Sequence, residues 1–300
     1  MTATTAARPR SRLGVWWLGA RPRTLVAALV PVLVGASWAG RQSLSIPRTL
    51  LALVVALGLQ VAVNYANDYS DGVRGIDTAA RTGPLRLVAS GMAPARDVAV
   101  AAGVAIAVAA AAGVALALLT SAWLIAIGAA AIAALLLYSG GPRPYSARAL
   151  GEVAVFIFFG VVATAGTAFV QQQHITVAVL WVAVPVGLLA CSLLMVNNLR
   201  DIPTDQATGK RTLAVRIGAP RTKLLLSGSV VAAIALPAAG VAFGAVPRLV
   251  LGSLAAAPFA WPPLRTAWTA QGRGLVPALI GITRLQLVFG VLLAATLLAA

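Results

Sequence analysis

Acidic residues are what this chain has least of. Its 300 residues hold seven Asp and Glu against 23 Lys and Arg, and charged residues make up only 10% of the total. A soluble domain carries about 25% charged residues, so an ordinary water-soluble globule is excluded. There is one cysteine, Cys191, which excludes a disulfide framework and a thiolate metal site. The one histidine, His174, falls in a polar "QQQH" turn and reads as a solvated loop residue. No Cys/His or Ser/His constellation is therefore expected. No Pro/Ser linker or polar block of domain size occurs, so residues 1–300 read as one domain, with 1–15 as a flexible N-terminal tail.

What is present is apolar: 60% hydrophobic residues and a mean hydropathy of +0.92. Crossing roughly 30 Å of hydrocarbon takes about 20 apolar residues in a helix. Such runs occur near 24–40, 49–67, 98–119, 121–139, 152–170, 176–199, 223–245, 247–264 and 280–299. The expectation is an all-α polytopic membrane protein of about nine transmembrane helices. The first run is short, and Pro258, Pro262 and Pro263 interrupt the eighth, so eight spans is the alternative.

The formal charge of +16 would suit a nucleic-acid binder, but its distribution argues otherwise. With nine spans, the N-terminus and the loops after spans two, four, six and eight share one side and hold 20 of the 23 Lys/Arg. Only Arg41, Arg48 and Arg248 fall on the other side. Such asymmetry marks the cytoplasmic face. It predicts a multi-pass protein of a prokaryotic-type plasma membrane, N-terminus and basic loops inside, C-terminus outside, and no nucleic-acid partner. The basic start followed by "ASWAG" could pass for a cleaved signal peptide. Eight further runs and an interfacial Trp16–Trp17 pair favour retention.

Five of the seven acids crowd into two windows, "NYANDYSDGVRGID" (64–77) and "NNLRDIPTDQATGKRT" (197–212). Asn64, Asp68 and Asp71 stand at i, i+4 and i+7; Asn197, Asp201 and Asp205 stand at i, i+4 and i+8. Each set lines one helix face at the end of an even-numbered run, and the two sets lie 133 residues apart (201 − 68), which suggests a duplication. Carboxylates at a helix C-terminus meet the negative end of its dipole, and like charges at i, i+4 repel. Something cationic must compensate. Carboxylates and carboxamides without His or Cys form a hard oxygen set suited to Mg²⁺ or Ca²⁺. Arg74, Arg81 and Arg86 in the first loop, and Arg200, Lys210, Arg211 and Arg216 in the second, add phosphate-binding charge. Together they read as a Mg²⁺–diphosphate site at a membrane surface. A secondary transporter is the alternative of a different class, disfavoured because the acids sit at helix ends and the middle of the spans is nearly uncharged.

The segments "NDYSDGVRGID", "TGPLRLVASG" and "NNLRDIPTDQATGKRTLAVRIG" resemble the UbiA superfamily of intramembrane prenyltransferases. "WWLGARPRTLVAALVPVLVG" and "GPRPYSARALGEVAVFIFFG" narrow the likeness to the branch acting on 1,4-dihydroxy-2-naphthoate. The position of Asp77, six residues after Asp71, is the pattern of that branch. The resemblance implies helices ringing a central cavity capped by the two acidic loops. It further implies that Asp68, Asp71, Asp201 and Asp205, with Asp77, hold two Mg²⁺ ions on a polyprenyl diphosphate. Asn64, Asn67, Arg74, Arg81, Arg86, Arg143, Lys210 and Arg211 would bind the diphosphate. Arg21, Tyr138, Tyr145 and Asn198 would face the aromatic acceptor. The implied reaction joins the prenyl group to the ring with loss of CO₂; a hydroxybenzoate or tocopherol-type ring is the alternative acceptor. No protein partner is required by this reading.

Overall fold

A computed structural model describes residues 11–76 and 85–300, with the backbone alone at 41 and 42. Every regular element among the described residues is helical. Apart from single-turn pieces, these are in chain order α1 (Arg12–Ala20), α2 (Val26–Trp38), α3 (Ile46–Val73), α4 (Ala95–Leu119), α5 (Trp123–Ser139), α6 (Gly151–Gln172), α7 (Leu180–Ala207) and α8 (Leu213–Ala242). A 3₁₀ segment (Arg248–Ala260), α9 (Trp261–Thr269) and α10 (Val276–Ala299) complete the bundle.

Local chemistry sets the ends. Ser11 caps α1 by accepting from the Gly14 N–H at 3.1 Å. The start of α1 at Arg12 takes in residues expected in a flexible tail. Arg21 then adopts a left-handed conformation (φ 53°), and Pro22 follows. The chain bends by 53° between α1 and α2; the first expected run, 24–40, falls on α2, and α1 precedes it as the other arm of a bent pair. α4 starts after Pro94 with Asp97 in its first turn, where a carboxylate meets the positive end of the dipole. α8 breaks at Gly218 (φ 79°, ψ 164°), a conformation that favours glycine.

Six helices are long and apolar enough to cross a membrane, seven if the bent α1–α2 pair counts as one span. The expected nine is not reached by this measure. The two shortfalls have physical causes. α5 has 17 residues, about 25 Å of helix. The 247–264 run is a 3₁₀ segment containing Pro258, followed by α9 with prolines in its first turn, because proline lacks the N–H that an α-helical ladder needs.

One apolar core ties α2, α6, α7, α8, the 3₁₀ segment and α10 together through residues such as Val30, Val34, Val186, Leu189, Leu226, Ile282 and Phe289. Lipid tails are as apolar as these side chains, so association rests on close contact between small residues. A Cβ at Gly160 would lie 2.4 Å from Gly187 Cα, and one at Gly35 would lie 2.2 Å from Thr164 O. α6 also carries a π-helical stretch, Phe156–Val162, at the Gly160 contact with α7. Such an insertion widens the turn and is frequent at functional sites.

Overpacking at this contact is testable. Gly160→Leu should destabilise the detergent-solubilised protein by about 1–3 kcal/mol, read as a lowered melting temperature. Gly128→Leu, where nothing lies within 4 Å, should leave it nearly unchanged; equal effects would show that the α6–α7 contact does not limit stability.

Candidate active site

The two acidic helices end alike in the structure, in a register of 134 residues rather than the 133 of the leading aspartates (201 − 68). α3 and α7 each have 28 residues, and their ends correspond at that offset (180 − 46, 207 − 73). Both end on a glycine with positive φ, Gly75 and Gly209. In both, the carbonyl of the last aspartate accepts from the N–H five residues on: Ile76 N to Asp71 O at 2.9 Å, and Lys210 N to Asp205 O at 2.8 Å. In this register Asn64, Asn67 and Asp71 correspond to Asn198, Asp201 and Asp205, and all six line one cavity. Four apolar or polar positions below them on each helix pair up as well: 56, 59, 60 and 63 with 190, 193, 194 and 197.

The cavity has a volume of about 1710 Å³, larger than the few hundred to 1,000 Å³ usual for small-ligand sites. The polar residues gather where α3 and α7 end. Below them the wall is mostly apolar along α3, α5 and α6, from Val63 down to Ala52 and from Tyr138 down to Trp123, with Gln60 and Thr167 as polar exceptions. At 1.5 Å per residue, Asp71 to Ala52 spans ~28 Å, close to the thickness of a bilayer's hydrocarbon.

At the polar end, the two halves touch through Lys210 Nζ and Asp71 Oδ2, 3.6 Å apart. Arg200 grips Asp201 with two 2.7 Å bonds from Nε and Nη2, both residues being buried. Thr212 donates to Asp205 Oδ2 at 3.4 Å. Buried Arg86 and half-buried Arg21 also line the cavity. Tyr138 and Tyr145 meet edge to face on the wall, ring centres 5.4 Å apart. Tyr145 donates its hydroxyl to Ala134 O at 2.8 Å, and burial pushes its phenol up to about 12, so it stays neutral across physiological pH. It presents a ring to the cavity rather than an acid or a base.

Several expected site residues lie elsewhere. Asp68 is fully buried and off the cavity wall: its two oxygens accept from the Leu87 and Val88 N–H groups at 2.9 and 3.0 Å. It anchors the 85–92 turn, and its counterpart at 134 residues is Ile202, which is also off the wall. Arg74 donates to the carbonyls of Ser139 and Gly141, holding the end of α5, and does not line the cavity. Arg143 and Arg211 are exposed and off the wall. Asn64 lines the cavity, but its NH₂ is engaged by Ala20 O (2.9 Å) and Thr24 Oγ1 (3.0 Å). Asn67 Oδ1 accepts from the Ser139 hydroxyl. Asp77 and Arg81 lie outside the described residues.

Other wall residues were not picked out as site residues. Arg23, Thr24, Gln60 and Arg273 line the cavity, and Arg200, read only as general phosphate-binding charge, pairs directly with Asp201. Spacing gave a clue to Gln60, one turn before Asn64 on the same helix face. Nothing local marks Arg273, which reaches the wall from the connection between α9 and α10.

The donors fit a hard divalent cation. The mouth offers carboxylate and carboxamide oxygens, and neither His174 nor Cys191 lines it. Among the described residues, no three carboxylates are close enough to share one ion. An ion here would take one or two protein carboxylates and complete its shell with substrate phosphate and water, which is how Mg²⁺ is ordinarily held.

Residues 28–275 match the profile of the UbiA prenyltransferase family. The chain is 46% identical over 269 residues to the 1,4-dihydroxy-2-naphthoate octaprenyltransferase of Mycobacterium tuberculosis, covering 88% of this chain and 90% of that one. It is 35% identical to the Escherichia coli protein of the same name, covering 74% and 75%. The fold is similar to a UbiA homolog from Archaeoglobus fulgidus bound to GPP and Mg²⁺, with a TM-score of 0.71 at 16% identity over 95% of this chain and all of that one. It is also similar to the apo UbiA homolog from Aeropyrum pernix, with a TM-score of 0.69 at 21% identity over 92% and 97%.

The separate duties of the two first-window aspartates can be told apart without turnover. Asp68→Ala orphans two backbone N–H groups and should cost about 3 kcal/mol of stability in metal-free protein. Asp71→Asn keeps the side chain's volume and removes a buried charge whose Lys210 partner is 3.6 Å away, so it should cost clearly less than Asp68→Ala. Thermal melts in detergent and chelator read both, and a reversed order would overturn this assignment.

Proposed function

The chain belongs to the UbiA prenyltransferase family, and from that premise we propose that it transfers a polyprenyl group from polyprenyl diphosphate to 1,4-dihydroxy-2-naphthoate, with loss of CO₂ and release of diphosphate. One observation supports this reading above the others: two acid-bearing helix ends meet, through Lys210 and Asp71, at the polar head of a ~28 Å cavity whose deeper part is lined mostly by apolar side chains. A polar head on a long lipid tail matches that shape. The identity to relatives bearing that enzyme name supports the acceptor, and the structural neighbour bound to GPP and Mg²⁺ supports the donor class and the metal.

Asp71, Asp201 and Asp205, with Asn67 and Asn64 beside them, would hold two Mg²⁺. When bound, these ions supply positive charge that stabilises the departing diphosphate oxygens. Lys210, Arg86 and Arg200 stand at the same mouth to bind diphosphate. Lys210 and Arg200 are held by Asp71 and Asp201. The trough walls, built from residues such as Leu59, Val63, Phe158 and Leu193, keep water from an allylic cation. The rings of Tyr138 and Tyr145 flank it. Arg21 would take the acceptor carboxylate at the bend between α1 and α2. The new C–C bond forms at the ring, and the carboxylate leaves as CO₂. No side-chain nucleophile is needed.

Purified protein incubated with one polyprenyl diphosphate, Mg²⁺ and a panel of aromatic acids should give a prenylated product and CO₂ from 1,4-dihydroxy-2-naphthoate. Chelation should abolish it, and Asp71→Asn or Asp201→Asn should lower turnover at least 100-fold, about 2.7 kcal/mol of barrier. Preference for a hydroxybenzoate would replace the acceptor, and full turnover in chelator would remove the metal.

The proposed membrane is the plasma membrane, with both acidic loops cytoplasmic. In a Cys191→Ala background, Arg96→Cys and Thr208→Cys should resist an impermeant thiol reagent in intact cells and react in inverted vesicles. His174→Cys should behave oppositely; labelling of positions 96 and 208 from opposite sides would make one shared diphosphate site impossible.

A further inference from the structure

Two of the seven acids lie outside the two windows. Asp97 is exposed at the start of α4, whereas Glu152 is buried in the first turn of α6. An ionisable residue inside a membrane-spanning segment is costly and marks a functional site by default. Among the described residues its side-chain partner is Asn198, whose Nδ2 donates to Glu152 Oε1 at 2.8 Å. A carboxylate can only accept, so the NH₂ end of the carboxamide must face it. Asn198 lines the cavity, and no donor among the described residues reaches its Oδ1. That oxygen is thus left as a fixed hydrogen-bond acceptor on the wall.

Depth and symmetry sharpen the role. Asn198 stands three residues before Asp201, ~4.5 Å further from the helix end, below the carboxylates. Its counterpart Asn64 has its NH₂ tied in the same sense, to Ala20 O and Thr24 Oγ1. The first half uses neutral partners; the second uses a carboxylate. Of the two substrates, a polyprenyl diphosphate has no hydroxyl to donate at that depth, whereas the aromatic acceptor carries two.

We propose that Glu152 is a positioning residue: it locks the Asn198 carboxamide so that Asn198 Oδ1 accepts a hydrogen bond from a ring hydroxyl of the acceptor. The inference rests on the prenyl-transfer reading above and adds the group that recognises the hydroxyl. The bond orients the ring below the diphosphate and draws on its hydroxyl proton, which enriches the ring in electron density for attack on the cation. In Glu152→Gln the new amide can offer its own NH₂ to Asn198 Oδ1 and turn the carboxamide around.

The test compares 1,4-dihydroxy-2-naphthoate with 1-hydroxy- and 4-hydroxy-2-naphthoate, each lacking one hydroxyl, by equilibrium binding and by steady-state kinetics. Wild-type protein should bind one monohydroxy analogue about tenfold more weakly than the parent. In Asn198→Ala and Glu152→Gln that difference should collapse, with acceptor KM raised about tenfold and donor KM and Mg²⁺ dependence changed less than about twofold. Glu152→Asp, which keeps a carboxylate one methylene shorter, should retain an intermediate preference and gives the same decision if Glu152→Gln does not fold. Equal binding of all three acids by the wild type, retained discrimination in the variants, or a loss falling on donor KM would each overturn the inference while leaving prenyl transfer intact. Failure of the wild type to prenylate the dihydroxy acid at all would bring down both.

Discussion

A polar group placed in hydrocarbon must find its partner inside the protein, because no water is there to supply one. That constraint organises this structure. Asp68 is buried with two backbone N–H groups, Asn64 with a carbonyl and a hydroxyl, Asp201 with the guanidinium beside it, and Glu152 with Asn198. Each pairing also fixes a piece of chain: the turn after α3, the bend between α1 and α2, the end of α7, the start of α6. The polar groups that remain on the cavity wall gather at one end, where α3 and α7 stop.

Much of this was legible in the sequence because hydropathy and helix ends are local signals. The long runs fall on helices, with α3, α7 and α8 extending six to ten residues beyond their runs on the side of the acidic windows and the basic loop, and the acidic ends of α3 and α7 come together at one cavity. What composition could not resolve was the register of the duplication. Asp68 and Asp201 look equivalent as the leading acids of each window, yet the helix ends align Asp71 with Asp205. One residue of shift turns a side chain by about 100° around an α-helix, enough to move Asp68 from the cavity to the turn. The basic residues were hardest to place. Arg74 and Arg211 sit beside cavity residues in sequence, but a long flexible side chain at a helix end follows whichever carbonyl or solvent is nearest. Arg273 arrives from a distant connection and leaves no local trace. Six or seven of the nine expected spans meet the length and hydropathy measure: α5 is too short for it, and the 247–264 run, rich in proline, is 3₁₀ followed by a short α-helix, a backbone change that hydropathy does not register.

The two halves are alike in backbone and unlike in charge. At matched positions Asn67 faces Asp201, and the neutral ties of Asn64 face the carboxylate tie of Asn198. A symmetric scaffold with asymmetric groups suits two different substrates meeting at one point. It also explains why the chain needs so few acids: the same helix end, used twice, makes the pocket.

The trough has a bearing on how substrate reaches the site. A cavity about as long as the hydrocarbon is thick, polar at one end and mostly apolar below it, would let a lipid-tailed molecule place its head at the mouth while its tail stays out of water. For a donor dissolved in the bilayer, encounter would be a two-dimensional search, and saturation would follow its mole fraction among the lipids instead of its concentration in the cytoplasm. For such a protein an affinity quoted in molar units describes the vesicle preparation as much as the site.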